Sequence, residues 1–286
     1  MRTVLLTGGT GKTGRRIASR LASADVRVRL AARSITVVES CDSTLFDWSD
    51  ASTFEAALSQ VDAVYLLAPS NVSEPLEAMR PFIDLAIKNG VRRFVLLSAS
   101  SLPRGGPMLG AVHQYLAENA PEWAVLRPSW FMQNFSEQQH LLTIRDEGAI
   151  YSATGDGRIP FIDAGDIAAV AAAALTQREP MNRDLILTGP QLMTYTDAAR
   201  IISTAIGRPV KHVMLTERQL KERYERIGMT PEYASLLSSL DTAIAGGAEE
   251  RLTCEVEDAT DRPPRTFSDF AVESKLSWKR AEMPLI

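Results

Sequence analysis

The chain has few of the residues that cross-link a fold or bind a metal. It holds only two cysteines, Cys41 and Cys254, far apart and without a C-x-x-C partner. This excludes a disulfide framework and a thiolate metal site. Three histidines, none paired four residues apart, add no metal motif. The longest aliphatic run, Ile167 to Leu175, has nine residues, whereas about 20 are needed to cross a bilayer. We therefore expect neither a bound metal nor a membrane span.

An excess of basic charge is also missing. The 31 Lys and Arg residues against 35 Asp and Glu give a net charge of −4, which offers no general attraction for nucleic acid or anionic membranes. The opening MRTVLLTGG places threonine and glycine where a signal peptide would continue its apolar stretch. We expect a cytoplasmic protein with a small-molecule substrate, and neither nucleic acid nor membrane as partner. The sequence leaves open a monomer or a homodimer.

What the chain does have is a succession of apolar runs alternating with helical patterns. Strands are predicted at 3–7, 26–32, 44–46, 63–67, 93–97 and 124–128, with helices that include 50–58 and 74–88. Such alternation is typical of βαβ units and a parallel sheet. The fold class predicted is α/β, a Rossmann-type doubly wound parallel sheet over residues 1–150. A smaller C-terminal α/β substrate-binding region, interleaved with the first, is predicted over 151–286.

The C-terminal region has a looser rhythm. Its predicted strands are 149–152, 159–162, 185–187 and 210–214, and its predicted helices are 166–175, 196–206, 217–227 and 231–244. The last helix places four apolar residues on one face, which predicts that it packs against the rest of the fold. They are Leu236, Leu237, Leu240 and Ile244.

The first predicted strand runs into a glycine-rich turn, Gly8-x-x-Gly11-x-x-Gly14. In a dinucleotide-binding turn the first glycine allows the bend, the second lets backbone approach a pyrophosphate and the third lets helix pack on strand. The helix N–H groups then face the anion. A P-loop is excluded because its pattern needs glycine where this chain has Leu6. The alternative to a dinucleotide-binding turn is an ordinary glycine turn without a ligand. The predicted cofactor-binding residues of the turn are Thr7, Gly8, Thr10, Gly11, Lys12, Thr13 and Gly14.

The end of the second strand indicates which dinucleotide is bound. Arg33 lies 19 residues beyond Gly14, with Ser34 beside it, where NAD binders place an acid and an arginine suits the 2′-phosphate of NADP. The alternative is a solvated surface arginine. Asp47 and Trp48, after the third strand, are expected beside the adenine, although a plain loop aspartate is equally consistent. The next two strand ends complete the predicted NADPH/NADP site with Leu67, Ala68, Pro69, Ser98, Ala99 and Ser100.

A catalytic pair is absent. Short-chain dehydrogenases use Tyr-x-x-x-Lys to protonate a carbonyl oxygen, and none of the six tyrosines here has a lysine four residues on. Hydride added to a ketone leaves an alkoxide that needs an acid or an oxyanion site. Hydride added to an iminium carbon cancels the positive charge and gives a neutral amine. Positioning the nicotinamide against the substrate then supplies most of the rate enhancement. The absence favours a C=N⁺ substrate, and equally fits a protein that binds NADP without chemistry.

Few side chains are left as candidates for chemistry. The candidate catalytic residues are Ser98, at a strand end, and His113, in the following helix. Alternatively, the Ser98 hydroxyl bonds to local backbone, and His113 is a structural histidine of the helix. An aromatic group after the sixth strand predicts a substrate pocket, since an aromatic wall stabilises a cation by about 0.5 to 2 kcal/mol per ring. The predicted substrate-binding residues are Trp130, Phe131, Phe135 and Tyr151.

These motifs, in this order, resemble the ergot alkaloid reductases of fungi. The stretches that carry the resemblance are TVLLTGGTGKTG, FVLLSAS, GGPMLGAVH, VLRPSWFMQNFS, YSATGDGRIPFID and LTGPQLMTY. The enzymes concerned are of the festuclavine synthase and agroclavine dehydrogenase type, atypical short-chain dehydrogenases of the NmrA-like group. The resemblance implies NADPH-dependent reduction of a cyclic iminium in an alkaloid intermediate.

Residue by residue, the resemblance matches the glycine turn with the phosphate site, Arg33-Ser34 with the 2′-phosphate position and Ser98–Ser100 with the nicotinamide side. It also implies that the missing Tyr-Lys pair is a family feature. The chain departs from the family at Ser101 to Arg104, at Gln133 and in the helices after Thr216. Another imine, a quinone or an enone therefore stays open as substrate, and an NADP-sensing regulator without turnover stays open as the alternative function.

Overall fold

A computed structural model describes residues 1–35, 41–70 and 72–279. Its strands are β1 Arg2–Thr7, β2 Val26–Ala32, β3 Asp42–Leu45, β4 Ala63–Leu66, β5 Arg93–Leu97, β6 Glu122–Pro128, β7 Ala149–Ser152, β8 Arg183–Leu187 and β9 Lys211–Met214. Its α-helices are α1 Gly14–Leu21, α2 Phe54–Leu58, α3 Pro75–Lys88, α4 Leu109–Asn119, α5 Ala164–Thr176, α6 Tyr195–Ile206, α7 Glu217–Arg226, α8 Pro231–Ala245, α9 Glu255–Thr260 and α10 Phe267–Ser274.

The chain groups into two compact units. Unit 1 comprises Met1–Pro128, Ala164–Leu187 and Cys254–Pro263, and unit 2 comprises Ser129–Asp163, Thr188–Thr253 and the chain from Pro264 onward. The units differ from the bounds predicted near residue 150. Residues 129–150 lie in unit 2, whereas 164–187 return to unit 1 because β8 pairs in parallel with β6.

Unit 1 is a Rossmann-type fold, as predicted. Over the described residues, seven parallel strands are ordered β3-β2-β1-β4-β5-β6-β8. β4 and β5 are buried along their whole length, which is typical of strands covered by helices on both faces. The strand order reverses beside β1, with β2 on one side and β4 on the other. Ligands of such sheets bind at the carboxyl ends of the strands at this switch point.

Unit 2 is built around an aromatic core and a two-stranded parallel sheet of β7 and β9. Phe135 and Phe161 meet edge to face with their ring centroids 5.2 Å apart. The indole N–H of buried Trp278 donates to the Phe135 carbonyl at 2.7 Å. A hydrogen bond to backbone lets so large a polar ring enter the core without an unsatisfied donor.

One sequence prediction in this unit needs correction, and a second is confirmed in part. The strand expected over 159–162 forms only isolated bridges, between Ile159 and Met193 and between Phe131 and Ile162, because Pro160 has no N–H to extend a ladder. Helix α8 packs against α7, as predicted, and Ile244 of the predicted face is buried. The other buried residues are Ala234, Ser238 and Asp241, whereas Leu236 is 39% exposed.

Candidate functional site

The glycine turn after β1 has no room for side chains. Gly8 has φ +64, and a β-carbon there would lie 2.4 Å from Leu67 Cδ2. A β-carbon on Gly14 would lie 2.4 Å from the Gly8 carbonyl oxygen and 2.7 Å from Gly9 Cα. The N–H of Gly11 donates to the same Gly8 carbonyl at 2.9 Å. Helix α1 starts at Gly14, so bare backbone at a helix N-terminus forms the cradle that a pyrophosphate requires.

Two threonines of the turn hold it against β4. Thr7 Oγ1 donates to the Tyr65 carbonyl at 3.0 Å and accepts from the Leu67 N–H at 2.8 Å. The Tyr65 hydroxyl donates to Thr13 Oγ1 at 2.9 Å, and burial raises the pKa of that hydroxyl. Both threonine hydroxyls thus position the turn. Thr10 is exposed and Lys12 is half-buried.

The end of β2 presents the predicted phosphate-binding pair to solvent. Arg33 and Ser34 are exposed. Hydrogen bonds from Ser49 lower the pKa of Asp47, and the guanidinium charge of Arg33 lowers it further. Arg33 and Asp47 follow the ends of the neighbouring parallel strands β2 and β3. Asp47 Oδ1 accepts from Ser49 N at 2.9 Å and from Ser49 Oγ at 2.7 Å, as a loop-stabilising aspartate does.

Trp48 ties this region to the end of β4. Its indole N–H donates to the Leu67 carbonyl at 3.2 Å, and the ring meets Phe82 edge to face at 5.4 Å. Leu67, Ala68 and Pro69 are each half-buried. The structure thus brings the predicted residues 47–48 and 67–69 together at one edge of the sheet.

The end of β5 contains a polar group without a partner. The N–H of Ser98 donates to the Leu126 carbonyl at 2.7 Å, yet its hydroxyl, on a residue only 8% exposed, has no hydrogen-bond partner within the described ranges. The backbone after it is fixed by Arg127, whose Nη2 donates to the Ser100 carbonyl at 2.9 Å. Since buried hydroxyls are almost always paired, an orphan at this position fits a ligand's polar group.

His113 lies buried in α4. Neither ring nitrogen has a hydrogen-bond partner within residues 1–35, 41–70 and 72–279, and the ring centroid lies 5.5 Å from that of Trp123. Burial, as the largest cause, lowers the pKa of His113. The imidazole is therefore neutral at pH 7 and holds no proton to donate as an imidazolium.

The four predicted substrate residues all fall in unit 2, where two of them line separate cavities. Trp130 lines a cavity of about 220 Å³, whereas Tyr151 lines a different one of about 170 Å³. Arg223 Cζ lies 3.6 Å from the centre of the Tyr151 ring. Phe135 is fully buried in the core, and Phe131 is half-buried and bridges to Ile162.

Sequence reasoning missed most of the Trp130 cavity. Its wall includes Tyr195, Tyr224, Tyr233 and Asp241. Asp241 Oδ2 accepts from the Ala153 N–H at 2.9 Å, and burial raises the pKa of this carboxyl to about 6. Helical spacing puts Asp241 on one face with Ala234, Ser238 and Ile244, and this could have indicated that Asp241 is buried. An acid on an amphipathic helix normally faces water, so the sequence favours the opposite interpretation.

Among the described residues, no helix combines the length and the apolar sequence that a bilayer span requires. They also contain no group of three or more His, Cys, Asp or Glu residues placed to hold a metal ion.

Comparison with known proteins agrees with the dinucleotide turn. Residues 8–178 match the family described as NAD(P)H-binding. The chain is 44% identical over 275 residues to the uncharacterized oxidoreductase YesF of Bacillus subtilis, covering 96% of each chain. It is 43% identical over 285 residues to agroclavine dehydrogenase of Claviceps fusiformis, covering 96% of this chain and 98% of that one. An NADPH-dependent quinone oxidoreductase of Escherichia coli, solved with NADPH, shares the fold at TM-score 0.79 and 20% identity over 94% of this chain and 99% of its own.

Proposed function

Because the chain belongs to the NAD(P)H-binding oxidoreductase family of agroclavine dehydrogenase, we propose that it reduces the C=N bond of a small cyclic iminium, such as an alkaloid intermediate, with NADPH. Oxidoreduction with NAD(P)H is the family's activity. The C=N bond, the preference for NADPH and the class of substrate are the proposal. NADPH supplies the hydride, and the glycine turn, Arg33 and the strand ends 67–69 and 98–100 would hold it.

The observation that carries the proposal is the missing proton donor. No tyrosine of the chain has a lysine four residues on. Of the two candidate catalytic residues, His113 is buried with its pKa lowered by burial. The hydroxyl of Ser98 has no partner among the described residues that would activate it. An alkoxide formed from a ketone would have no side-chain acid among these groups. A hydride added to the carbon of C=N⁺ gives a neutral amine directly, so no proton transfer is required.

The preference for NADPH is supported by charge at the end of β2. The described residues that follow this strand, Arg33, Ser34 and Ile35, include no acid. An acid at this place would accept from the ribose 2′-hydroxyl of NAD and repel a 2′-phosphate. The exposed guanidinium of Arg33 instead suits bidentate pairing with a phosphate.

A paired-substrate assay tests the proposal. Purified protein with NADPH is given N-methyl-dihydroisoquinolinium and, separately, the ketone α-tetralone, which has a similar bicyclic skeleton but no positive charge. The expected result is oxidation of NADPH, followed by the absorbance of the reduced nicotinamide, with the iminium and not with the ketone. A quinone and an enone are included in the same panel.

Each other outcome would overturn the proposal in a recognisable way. Oxidation by the quinone or enone but not by the iminium would identify a different reductase. No oxidation by any compound, together with NADPH binding seen by calorimetry, would favour the regulator that senses NADP without turnover.

A further inference from the structure

We propose that Trp130, Tyr195, Tyr224, Tyr233 and Asp241 of unit 2 form a site that recognises the positively charged nitrogen of an amine or iminium ligand. Only the identification of this ligand as the substrate or product rests on the proposed function. The site itself is a cavity with a single carboxylate, Asp241, in its wall.

Residues of three helices and of the segment after β6 line the cavity, which is open to solvent on one side. Tyr195 begins α6, Tyr224 lies in α7, and Tyr233 and Asp241 lie in α8, while Trp130 follows β6 by two residues. Its volume of about 220 Å³ equals the space of about seven water molecules at roughly 30 Å³ each. This is enough for a small ring system that carries one nitrogen.

Asp241 is a buried anion for which the described residues supply no cationic partner. The residue is 5% exposed, and within the described part of the chain its carboxylate has one bond, from the Ala153 N–H at 2.9 Å. No Lys or Arg side chain of the described ranges pairs with it. Burial raises the pKa of this carboxyl to about 6, so it is mainly ionised at neutral pH. Buried charges are normally paired, and a cationic ligand would supply the missing charge.

The remaining wall suits a cation. Burial raises the pKa of Tyr195, with the charge of Asp241 as the second cause, and the same two causes in the same order raise the pKa of Tyr224. Both hydroxyls therefore stay neutral, and both lie within the field of the carboxylate. The faces of aromatic rings attract ammonium groups. Three side-chain amides and two leucines complete the wall, at Asn134, Gln138, Gln139, Leu237 and Leu240. With four aromatic rings and one carboxylate, the wall favours a charged nitrogen over a neutral group of the same shape.

The same charge has a consequence for the form in which a ligand binds. A nearby anion raises the pKa of a basic nitrogen, so an imine in this cavity would be held protonated, as the more electrophilic iminium. The amine formed by reduction is also protonated at neutral pH and would be retained. Product inhibition that weakens when Asp241 is neutralised is therefore expected.

Binding of an isosteric pair of probes to the full chain, without NADPH, tests the site. The probes are phenyltrimethylammonium and its neutral isostere tert-butylbenzene, each measured by titration calorimetry. Asp241→Asn keeps an oxygen for the Ala153 N–H and removes the charge. It is expected to weaken binding of the cation by about tenfold or more and to change binding of tert-butylbenzene by less than about twofold.

Two further variants complete the design. Tyr233 is 47% exposed, and Tyr233→Leu removes its aromatic ring from the wall. The substitution is expected to weaken binding of the cation by about two- to fivefold and to leave binding of tert-butylbenzene unchanged. Glu232→Gln removes an exposed charge from the same helix and is expected to leave both affinities unchanged.

Equal affinity of the wild type for both probes would overturn the inference, and so would an Asp241→Asn variant that binds the cation as well as the wild type. Because no turnover is measured, the result is independent of the reductase assay. Cation binding that depends on Asp241, in a protein that reduces no iminium, would leave the site standing while the proposed function fails.

Discussion

Ser98 and Asp241 each bury a polar group that the described chain leaves without the partner its chemistry calls for. The Ser98 hydroxyl has no hydrogen-bond partner, and the Asp241 carboxylate has no counter-ion within residues 1–35, 41–70 and 72–279. Such groups lower the stability of the ligand-free protein. They are expected where a ligand completes the interaction, so substitution should change stability and binding in opposite directions.

Ser98→Ala is predicted to raise the free energy of unfolding of the cofactor-free protein by about 1 kcal/mol, because it removes an unsatisfied buried hydroxyl. It should weaken NADPH binding by about two- to tenfold, the value of one hydrogen bond. Denaturant unfolding and calorimetric titration measure the two effects.

The control for Ser98 is Ser152→Ala, since Ser152 Oγ is also buried but lies 2.8 Å from both Thr154 Oγ1 and His212 Nε2. It is predicted to lose about 1 kcal/mol of stability. Equal destabilisation by both substitutions would show that the Ser98 hydroxyl has a partner inside the fold.

Asp241 gives a pH-dependent prediction. Its pKa is raised by burial to about 6 from an ordinary 3.8, so the folded state binds the proton more tightly than the unfolded chain. Its contribution to stability is therefore lost as pH rises from about 4 through about 6. Asp241→Asn resembles the protonated form. It should match the wild type near pH 4 and exceed it near pH 7.5 by on the order of 3 kcal/mol.

Urea unfolding of both proteins across this pH range tests the prediction. A variant that is less stable than the wild type at every pH would mean that the ionised carboxylate is stabilised inside the fold, and would contradict the account of Asp241.

Arg33→Ala is predicted to raise the Kd for NADPH by roughly tenfold to a hundredfold, the value of hydrogen bonds to a charged group. The Kd for NADH should change by less than about twofold, because NADH has no 2′-phosphate. Arg92→Ala removes another exposed arginine and serves as the control. An unchanged ratio of the two affinities in Arg33→Ala would assign Arg33 to the solvated surface.

At the level of elements, two kinds of strand pattern gave the observed bounds. β5, residues 93–97, is buried along its whole length, as expected of an apolar run covered on both faces of a parallel sheet. β2, residues 26–32, alternates apolar residues with Arg27 and Arg29, and its period of two marks a strand directly. The pairing of β8 with β6 is a long-range contact that no local pattern encodes. The segment 159–162 has strand-like composition but contains Pro160, which withholds a ladder hydrogen bond.

In the candidate site, too, local patterns could be predicted from the sequence and long-range contacts could not. The glycine turn is a local pattern with a strict geometric cause, so the sequence identifies Gly8, Gly11 and Gly14 directly. The cavity of unit 2 gathers Trp130, Tyr195 and Asp241 from distant segments. Single aromatic or acidic residues far apart in sequence have no shared signal, and three of the four predicted substrate residues lie outside that cavity's wall.

The glycine turn and helix α1 form the predicted pyrophosphate site together, and Gly14→Ala tests this. Because a β-carbon there would lie 2.4 Å from the Gly8 carbonyl oxygen, the backbone must shift. The expected loss is about 1 to 3 kcal/mol of stability, together with loss of NADPH binding at concentrations that saturate the wild type. Thermal unfolding and calorimetry measure both.

Gly246→Ala is the matched control for Gly14, since it has φ −82 and a β-carbon there would lie 3.3 Å from the Ala243 carbonyl oxygen. It should change stability only slightly and leave NADPH binding unchanged. Normal NADPH binding by Gly14→Ala would contradict the assignment of the turn to the cofactor.

For the whole molecule, selectivity depends on placed charges and not on the overall balance. The net charge of −4 attracts neither a phosphate nor a cation specifically. Arg33 in unit 1 and Asp241 in unit 2 are single charges of opposite sign, one exposed at a strand end and one buried in an aromatic cavity. We assign the first to the cofactor and the second to a cationic nitrogen.

We propose that hydride passes from NADPH to the carbon of a C=N⁺ bond without a proton donor from the protein. The most direct test uses NADPH deuterated at the transferable position and N-methyl-dihydroisoquinolinium as acceptor, with mass spectrometry of the amine. We expect one deuterium on the carbon next to nitrogen, and we expect Ser98→Ala and His113→Ala both to retain the transfer when NADPH is saturating. An amine without deuterium, or transfer abolished in either variant despite bound NADPH, would contradict it.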